Sequence, residues 1–331
     1  MRRRDFIATV MYGAGLSFAS SAWAQPTDRV RKVGIIVPYP ESDMVVQERV
    51  AAFRQELRRL GWWEGKNLSF TERWTTDNLD LIRAGVAELA AAQPDVILAT
   101  GGRVMPILKQ QIRSIPVVFV ATNDPVGRGL VASLARPGGN MTGYALQEFS
   151  VIGKMLDLLQ KIAPEIRRVA LIFNPDNAFA ASFYTQTFNE TAGKLGFEPV
   201  IAPIRGPADI EHTLEVIGRE PNKGGALFPS DITLLTHRDA IVAAAARYRV
   251  PAIYADRAMV TGGGLLSYSV DRKDLFGRSA AYVDRILRGE SPAELPVQLP
   301  EKYEFVLNLK TAQQLGLEPS PTLLFLSEVI E

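Results

Sequence analysis

Residues 117–130, VVFVATNDPVGRGL, join a short apolar run to a polar one. The first five residues are apolar enough for a strand that is buried on both faces of a sheet. Thr122, Asn123 and Asp124 follow at once, and Pro125 ends the polar run. Ligands of open parallel sheets bind beyond the carboxyl ends of the strands, so polar groups at this point favour a binding site.

The same alternation of apolar runs and amphipathic helical stretches continues along the chain. The first helical stretch spaces its apolar residues by three or four and ends at Gly61; they are Val46, Val50, Phe53, Leu57 and Leu60. Strands are predicted at residues 33–37, 68–74, 96–100, 117–121, 141–145, 169–173, 199–203, 226–229, 252–254 and 265–267. One sheet of ten strands or two of about five would fit, and the length favours two. The predicted class is α/β, with parallel sheets covered on both faces.

The start of the chain has the pattern of an export signal. Arginines at positions 2–4 precede a weakly apolar run at 7–21, and residues 22–24 are Ala-Trp-Ala. We expect residues 1–24 to be a signal peptide cleaved after Ala24. Residues 3–7 resemble a twin-arginine signal, although Arg2 replaces its usual Ser or Thr, so the export route stays open. A transmembrane anchor is disfavoured because the apolar run is short and rich in Gly and Ser.

The composition narrows the functional classes. Net charge is +1 and 47% of the residues are hydrophobic, which favours neither nucleic acid nor an anionic membrane as a partner. The sequence has no cysteine. Disulfides, thiolate metal sites, cysteine nucleophiles and a lipid-anchored export signal are therefore excluded, and we predict neither a cofactor nor a metal.

Six of the predicted strands end in small, hydroxylic, amide, aromatic or acidic residues, drawn from both halves of the chain. A cleft between two lobes would bring such strand ends together. The candidate ligand-binding residues are Tyr39, Thr100, Gly101, Thr122, Asn123, Asp124, Asn174, Asn177, Ser230, Asp231 and Asp256.

Several of these residues have a structural alternative. Asp124 before Pro125, and Asp231 before an apolar run, would each suit a helix N-cap. Both roles can coexist, because a helix N-terminus aimed at a cleft offers N–H groups to an anion. Gly101 allows the backbone to approach a ligand closely, whereas Tyr39 could either stack on an aromatic ligand or cover a surface.

Enzyme signatures are missing from the sequence. No phosphate-binding loop, dinucleotide fingerprint or G-x-S-x-G elbow occurs. The two histidines, His212 and His237, lie among charged residues in helical stretches, and we expect both to be exposed. The protein is therefore predicted not to be an enzyme.

Five long motifs resemble a known family. They are VATNDPVGRGLVASLARPGGNMTGY (120–144), FPSDITLL (228–235), YADRAMVTGGGLLSYSVD (254–271), AAYVDRILRGESPAELPVQLP (280–300) and FVLNLKTAQQLGL (305–317). They look like the substrate-binding proteins of ABC importers, a family with tryptophan- and tyrosine-binding members, and the resemblance spans about residues 32 to 319.

The resemblance implies a type I periplasmic-binding-protein fold: two doubly wound parallel-sheet lobes joined by three crossovers, near 143–146, 266–270 and 292–300. Lobe 1 would take residues 30–143 plus 268–293, and lobe 2 residues 144–267 plus 294–331. It also implies a periplasmic monomer that delivers a small ligand to an ABC permease in the inner membrane. Delivery to a sensory receptor remains an alternative, whereas a repressor would need a DNA-binding domain where the export signal lies.

The expected mechanism is hinge closure over an amino acid or a small, possibly aromatic, carboxylate. Asp231 or Asp256 would bind the amine, and Thr100, Gly101 and Thr122 the acid. Tyr39, with Tyr254 or Tyr268, would supply the aromatic surface for a ring.

Overall fold

A computed structural model describes residues 29–146, 148–176, 178–219 and 224–331, with the side chains of 148–150 and 178–183 left out. The predicted export signal lies outside the described residues. The strands are β1 (Arg31–Val37), β2 (Leu68–Trp74), β3 (Val96–Thr100), β4 (Val117–Asn123), β5 (Met141–Leu146), β6 (Arg168–Phe173), β7 (Glu198–Pro203), β8 (Gly225–Phe228), β9 (Ala252–Tyr254), β10 (Leu266–Val270), β11 (Tyr303–Asn308) and β12 (Glu328–Ile330).

Helices connect most of these strands. They are α1 (Met44–Arg59), α2 (Leu79–Ala92), α3 (Val104–Gln111), α4 (Glu148–Ile162), α5 (Ala178–Lys194), α6 (Pro207–Arg219), α7 (Ile232–Thr236), α8 (Arg238–Arg247), α9 (Arg257–Thr261), α10 (Arg272–Leu287), α11 (Leu309–Leu315) and α12 (Pro321–Leu326), with a 3₁₀ turn at Pro292–Glu294. No helix in the described part of the chain is both long and apolar enough to cross a membrane.

The strands form two sheets, the arrangement that the chain length favoured. One has the order β2-β1-β3-β4-β5 and the other β12-β11-β10-β9-β8-β6-β7. Each sheet has a separate apolar core on each face, and in the first sheet Ile35 and Ile36 of β1 lie in opposite cores. Helices therefore cover both faces of the sheet, which makes it doubly wound.

The second sheet departs from the all-parallel expectation. The ten predicted strands are present, and β11 and β12 are added at the carboxyl end of the chain. β11 runs antiparallel to β10, whereas every other pairing among the named strands is parallel. The prediction missed these two strands because they lack the continuous apolar runs of doubly buried strands.

The chain passes between the sheets three times. It leaves the first sheet after β5, returns between β10 and α10, and crosses again between Glu294 and β11. α10 packs against α1 and β4 of the first lobe. β5 pairs with β4 along its whole length, and Leu295 lies in a core of the first lobe. The predicted lobe boundaries stay a prediction, although these contacts favour placing residues 144–146 and 295–299 with lobe 1.

Local chemistry explains where α1 begins and what it buries. The Asp43 side chain accepts hydrogen bonds from the backbone N–H groups of Val45 (3.1 Å) and Val46 (3.3 Å), which makes Asp43 the N-cap. Four of the five predicted apolar positions are buried, and Leu60 is the exception, being 36% exposed at the C-cap. The periodicity thus identified the buried face of the helix but extended it one turn too far.

Candidate functional site

A cavity of about 370 Å³ lies between the carboxyl ends of the strands of the two sheets. Its first-lobe wall comes from the segments after β1 and β3, from the end of β4 and the segment after it, and from the start of α2 and α10. Its second-lobe wall comes from the segments around the ends of β6 and β8 and from α5. The lining residues are Tyr39, Leu79, Arg83, Thr100, Gly101, Gly102, Arg103, Pro106, Ile107, Ala121, Asn123, Arg128, Phe173, Asn174, Asp176, Tyr184, Ser230, Asp231, Ile232 and Arg272.

Most of the candidates chosen from strand ends meet at this cavity. The lining includes Tyr39, Thr100, Gly101, Asn123, Asn174, Ser230 and Asp231. Thr122, Asp124 and Asp256 do not line it, and Asn177 lies outside the described residues. The strand-end rule identified the edge of each sheet at which the cavity lies. It could not predict which side chains face the cavity.

Thr122 points away from the cavity because β4 carries a bulge. The pairing of β4 with β5 shifts register between Val120 and Thr122, and Ala121 adopts a left-handed φ of 56°. The irregularity leaves Ala121 and Asn123 at the cavity while Thr122 is buried at 1% exposure. Thr122 is therefore absent from the lining, and the expectation that it binds a ligand carboxylate stays a prediction.

Asp124 ends the strand without capping a helix. Its carboxylate accepts a hydrogen bond from the Gly127 N–H at 2.8 Å, and its own φ is 40°. Residues 125–129 form turns, so the predicted N-cap of a following helix is wrong. Asp124 instead stabilises the turn that carries Arg128 to the cavity.

The N-terminal end of α3 meets the cavity with its backbone exposed. Gly101 to Arg103 line the cavity just before the helix, and the N-cap position makes no side-chain capping hydrogen bond. Gly101 has φ of 96°, and a Cβ there would lie 2.5 Å from a side-chain carbon of Pro38. Only glycine fits there, and it lets the backbone before α3 approach a ligand closely.

Thr100 contributes differently from what its position suggested. Its hydroxyl donates a hydrogen bond to the Val120 carbonyl oxygen at 2.9 Å, between neighbouring strands. A hydroxyl has a single hydrogen to donate, so Thr100 has none left for a carboxylate. Thr100 therefore shapes the wall rather than binding an acid.

Arginines dominate the first-lobe wall of the cavity. Arg83, Arg103, Arg128 and Arg272 all line it, and α10 packs Arg272 with the first lobe. The Arg128 guanidinium donates to the Gly102 carbonyl oxygen. Burial lowers the pKa of Arg128, and the Asp124 carboxylate opposes that shift. A guanidinium remains charged at any physiological pH, so this wall is cationic.

Aspartates supply the charge of the second-lobe wall. Asp231 is the N-cap of α7: its carboxylate accepts from the Thr233 N–H at 2.8 Å and from the Asn174 N–H at 3.0 Å. The Asn174 side chain accepts from the Asp176 N–H at 2.9 Å and donates to the Thr233 hydroxyl at 2.8 Å. This network holds Asp231 at the cavity, so its capping and its position at the site coexist.

Aromatic side chains complete the lining. Tyr39, Phe173 and Tyr184 face the cavity. Tyr184 also bridges the lobes, because its hydroxyl accepts from the Asn123 amide at 3.2 Å and donates to the Ser230 carbonyl oxygen at 3.3 Å. No strand-end signal marks Tyr184, since it lies within α5.

The other aromatic candidates lie elsewhere. Tyr254 is buried and stacks on Phe228, with ring centroids 5.1 Å apart, and Tyr268 stacks on Tyr303 at 5.7 Å. Neither Tyr254 nor Tyr268 lines the cavity. The expectation that one of them would contact a ligand ring stays a prediction that the lining of this cavity does not support.

Asp256 binds two arginines of the protein itself. Arg49 of α1 contacts both its carboxylate oxygens, at 3.0 and 2.8 Å, and the Arg272 Nε lies 3.4 Å from it. Burial by itself would raise the pKa of Asp256, but the two guanidiniums outweigh burial and hold this pKa below its usual value. The carboxylate is therefore already paired and does not offer an amine site.

Asp77, at the end of the segment after β2, is a residue that the sequence argument missed. Burial raises its pKa to about 6; Arg103 opposes the shift, and Asp231 across the cleft adds to it. The Thr233 side chain also opposes the rise in the pKa of Asp77. The strand-end rule, applied to β2, would have found this residue.

The two histidines and the potential metal-binding side chains do not indicate a function. His212 is exposed on α6 as predicted, whereas His237 is half-buried where α7 meets α8. Among the described residues, no group of three or more His, Cys, Asp or Glu side chains could hold a metal ion.

Two α/β lobes, three crossings and a cavity lined from both lobes define a two-lobed ligand-binding protein. The chain belongs to the ABC transporter substrate binding protein family, whose model matches residues 32–329. The predicted family and the type I periplasmic-binding fold are confirmed.

Several relatives resemble the chain over most of its length. It is 21% identical to the tyrosine-binding protein of Clostridioides difficile strain R20291, over 87% of this chain and 81% of the relative. A conserved domain protein from Vibrio cholerae superimposes with a TM-score of 0.82 at 26% identity, covering 92% of this chain and 100% of the other. An ABC domain from Streptococcus pneumoniae in complex with L-Trp gives a TM-score of 0.82 at 22% identity, covering 91% and 99%.

Proposed function

We propose that the protein is the solute-binding component of an ABC importer and captures an amino acid, with an aromatic side chain preferred, by closure of its two lobes. The proteins named for tyrosine and crystallised with L-Trp support this ligand class. Its partner would be an ABC permease in the inner membrane, which it would meet as a periplasmic monomer. The proposal has no catalytic step, because the family is one of substrate-binding proteins and not of enzymes.

The observation that carries the proposal is the separation of charge across the cavity. The charged lining side chains of the first lobe are arginines, and those of the second lobe are Asp176 and Asp231. A cationic wall facing an anionic wall is complementary to a ligand with a carboxylate at one end and an ammonium at the other. A neutral sugar would not use this separation of charge.

The geometry revises which residues would bind each end. The carboxylate would bind the guanidinium of Arg128, which lies at the cavity near the N-terminal end of α3, where the helix dipole also favours an anion. The ammonium would bind Asp231, whose carboxylate is held at the second-lobe wall of the cavity by its backbone hydrogen bonds. Thr100, Thr122 and Asp256 drop out of the earlier assignment.

The size and apolar part of the cavity suit an aromatic side chain. A volume of about 370 Å³ lies at the lower end of the range for small-molecule sites. Phe173 and Tyr184 supply ring surfaces, and Leu79, Pro106 and Ile107 supply aliphatic ones. An amino acid with a small side chain would leave this surface uncovered, so we expect weaker binding of serine or alanine.

Binding to three related compounds tests the proposal. The protein is unfolded and refolded to remove any retained ligand, and then titrated calorimetrically with tryptophan, with tryptamine and with indole-3-propionate. Tryptamine lacks the carboxylate and indole-3-propionate lacks the amine. We expect each to bind about 100-fold or more weaker than tryptophan, since each leaves a charged wall unpaired. A parallel series built on tyrosine checks the preference for the ring.

The possible results separate the parts of the proposal. Equal binding of tryptophan and indole-3-propionate would remove Asp231 from the ammonium site. No binding of any amino acid would reject the ligand class while leaving the family intact. Uptake of the radiolabelled ligand by cells, lost when the gene is deleted, distinguishes import from delivery to a sensory receptor.

A further inference from the structure

A buried ion-pair cluster joins the two lobes at Asp256. Asp256 belongs to the second lobe, where it is the N-cap of α9, and both of its arginine partners belong to helices of the first lobe. Arg49 binds it through two contacts, at 2.8 and 3.0 Å. The side chains of Arg49, Asp256 and Arg272 are only 9%, 12% and 13% exposed. We call these three residues the clasp.

A second ion pair crosses between the lobes. The Arg238 guanidinium at the start of α8 lies 2.8 Å from one carboxylate oxygen of Asp43, whose other oxygen caps α1. Asp43 is 5% exposed as a side chain. Both cross-lobe carboxylates are thus N-caps, held in place by their own helices, so the pairs need little further ordering when the lobes meet.

These ion pairs connect one lobe to the other rather than the protein to a ligand. Asp43, Arg49, Arg238 and Asp256 do not line the cavity. Arg272 does line it, and its guanidinium donates to the Ser230 hydroxyl on the opposite wall. The attraction between the lobes is therefore present whatever the cavity contains, while Arg272 connects the clasp to the ligand space.

We propose that the clasp lets the two lobes close without ligand, so that ligand-free protein populates the closed form and ligand shifts an existing equilibrium. The proposal rests on the hinge closure in the proposed function, and not on the identity of the ligand. Opening would separate Asp256 from both guanidiniums and return all three groups to water. Closing would restore the pairs in a setting where water screens them little.

The absence of natural cysteine makes the closed fraction measurable. The full chain has no Cys, so Ala84→Cys on α2 and Asn189→Cys on α5 give two unique dye sites. Both positions are exposed, one on each lobe, on helices that contribute to opposite walls of the cavity. Single-molecule energy transfer between the dyes, in refolded protein without ligand, then reports open and closed populations.

The key variant is Asp256→Asn, which keeps the cap of α9 but removes the charge. In the wild type, the Ala258 N–H donates a 3.0 Å hydrogen bond to the Asp256 carboxylate, and an asparagine oxygen can still accept it. We expect the ligand-free closed fraction to fall about tenfold relative to the open fraction, because two buried guanidiniums then face each other without a carboxylate. Arg49→Gln is the second variant and should act in the same direction, should Asp256→Asn fail to fold.

A matched control tests an ion pair that does not cross the cleft. Arg257, the neighbour of Asp256, pairs with Glu328 inside the second lobe, at 2.5 Å. Glu328→Gln should leave the closed fraction unchanged. A ligand-free wild-type protein with no closed population, or an Asp256→Asn protein with the wild-type closed fraction, overturns the proposal. Because no ligand is added, a wrong ligand assignment would not change either result.

Discussion

Asp231 combines two roles that a substitution can separate. Asp231→Asn keeps an oxygen that can cap α7 but removes the charge proposed to bind the ammonium. We expect the dissociation constant for tryptophan to rise about 100-fold, as is typical when a buried charge loses its partner. Calorimetric titration measures the change.

Asp124→Asn is the matched control for that experiment. Asp124 also ends a strand and accepts a backbone hydrogen bond, but it does not line the cavity. Asparagine keeps an oxygen that can accept the Gly127 N–H, so the turn that carries Arg128 is retained and the affinity should change about twofold or less. Equal losses in the two variants would show that the effect comes from strand-end structure and not from recognition of the ammonium.

Asp77 predicts a pH dependence of stability. Its folded-state pKa is raised from 3.8 to about 6, mainly by burial. The folded protein therefore keeps a proton that the unfolded chain releases, so Asp77 reduces stability as the pH rises from about 4 to 6. Asp77→Asn cannot ionise and should exceed the wild type in unfolding free energy by about 1 to 3 kcal/mol at pH 7.

The pH series provides an internal control for Asp77. At about pH 4 both proteins carry a neutral side chain in the folded state, and the advantage of Asp77→Asn should nearly vanish. Urea unfolding at the two pH values measures the difference. An advantage of the same size at both values would point to packing and not to ionisation.

At the scale of elements, the pairing of β4 with β5 depends on one glycine. Gly143 in β5 has φ of 146°, and a Cβ there would lie 2.0 Å from the Phe119 carbonyl oxygen of β4. Gly143→Ala must therefore separate the two strands, and we expect a loss of about 3 kcal/mol or more in unfolding free energy. Gly139→Ala, where a Cβ meets nothing within 4 Å, should be close to neutral.

The helices and strands also show which features can be predicted from the local sequence pattern. The periodicity of α1 and the apolar runs of β1, β3 and β4 identified these elements without any knowledge of the tertiary structure. β11 was missed because it lacks a continuous apolar run, and its antiparallel direction is set by its pairing with β10. The bulge at Ala121 was missed because a bulge is a relation between two strands.

At the scale of the whole molecule, ligand should stabilise both lobes together. Each lobe has its own cores, yet the cavity takes its lining from both. A ligand at about 1,000 times its dissociation constant adds about 4 kcal/mol to the free energy of unfolding, which should raise the melting midpoint by about 5 to 10 °C. Differential scanning calorimetry measures this shift, and tryptamine at the same concentration should give little of it.

The sequence by itself determined the order of the first ten strands, the α/β class and the sheet edge where the cavity lies. These features follow from local chemistry: apolar period, capping and turn residues are written in neighbouring positions. Only the tertiary structure decided that Asn123 and not Thr122 faces the cavity, that Tyr184 joins it from α5, and that Asp256 serves the protein instead of the ligand. Arg49 and Asp256 are 207 residues apart in the sequence. Local pattern cannot show that they form an ion pair, because the pair depends on how the two lobes pack.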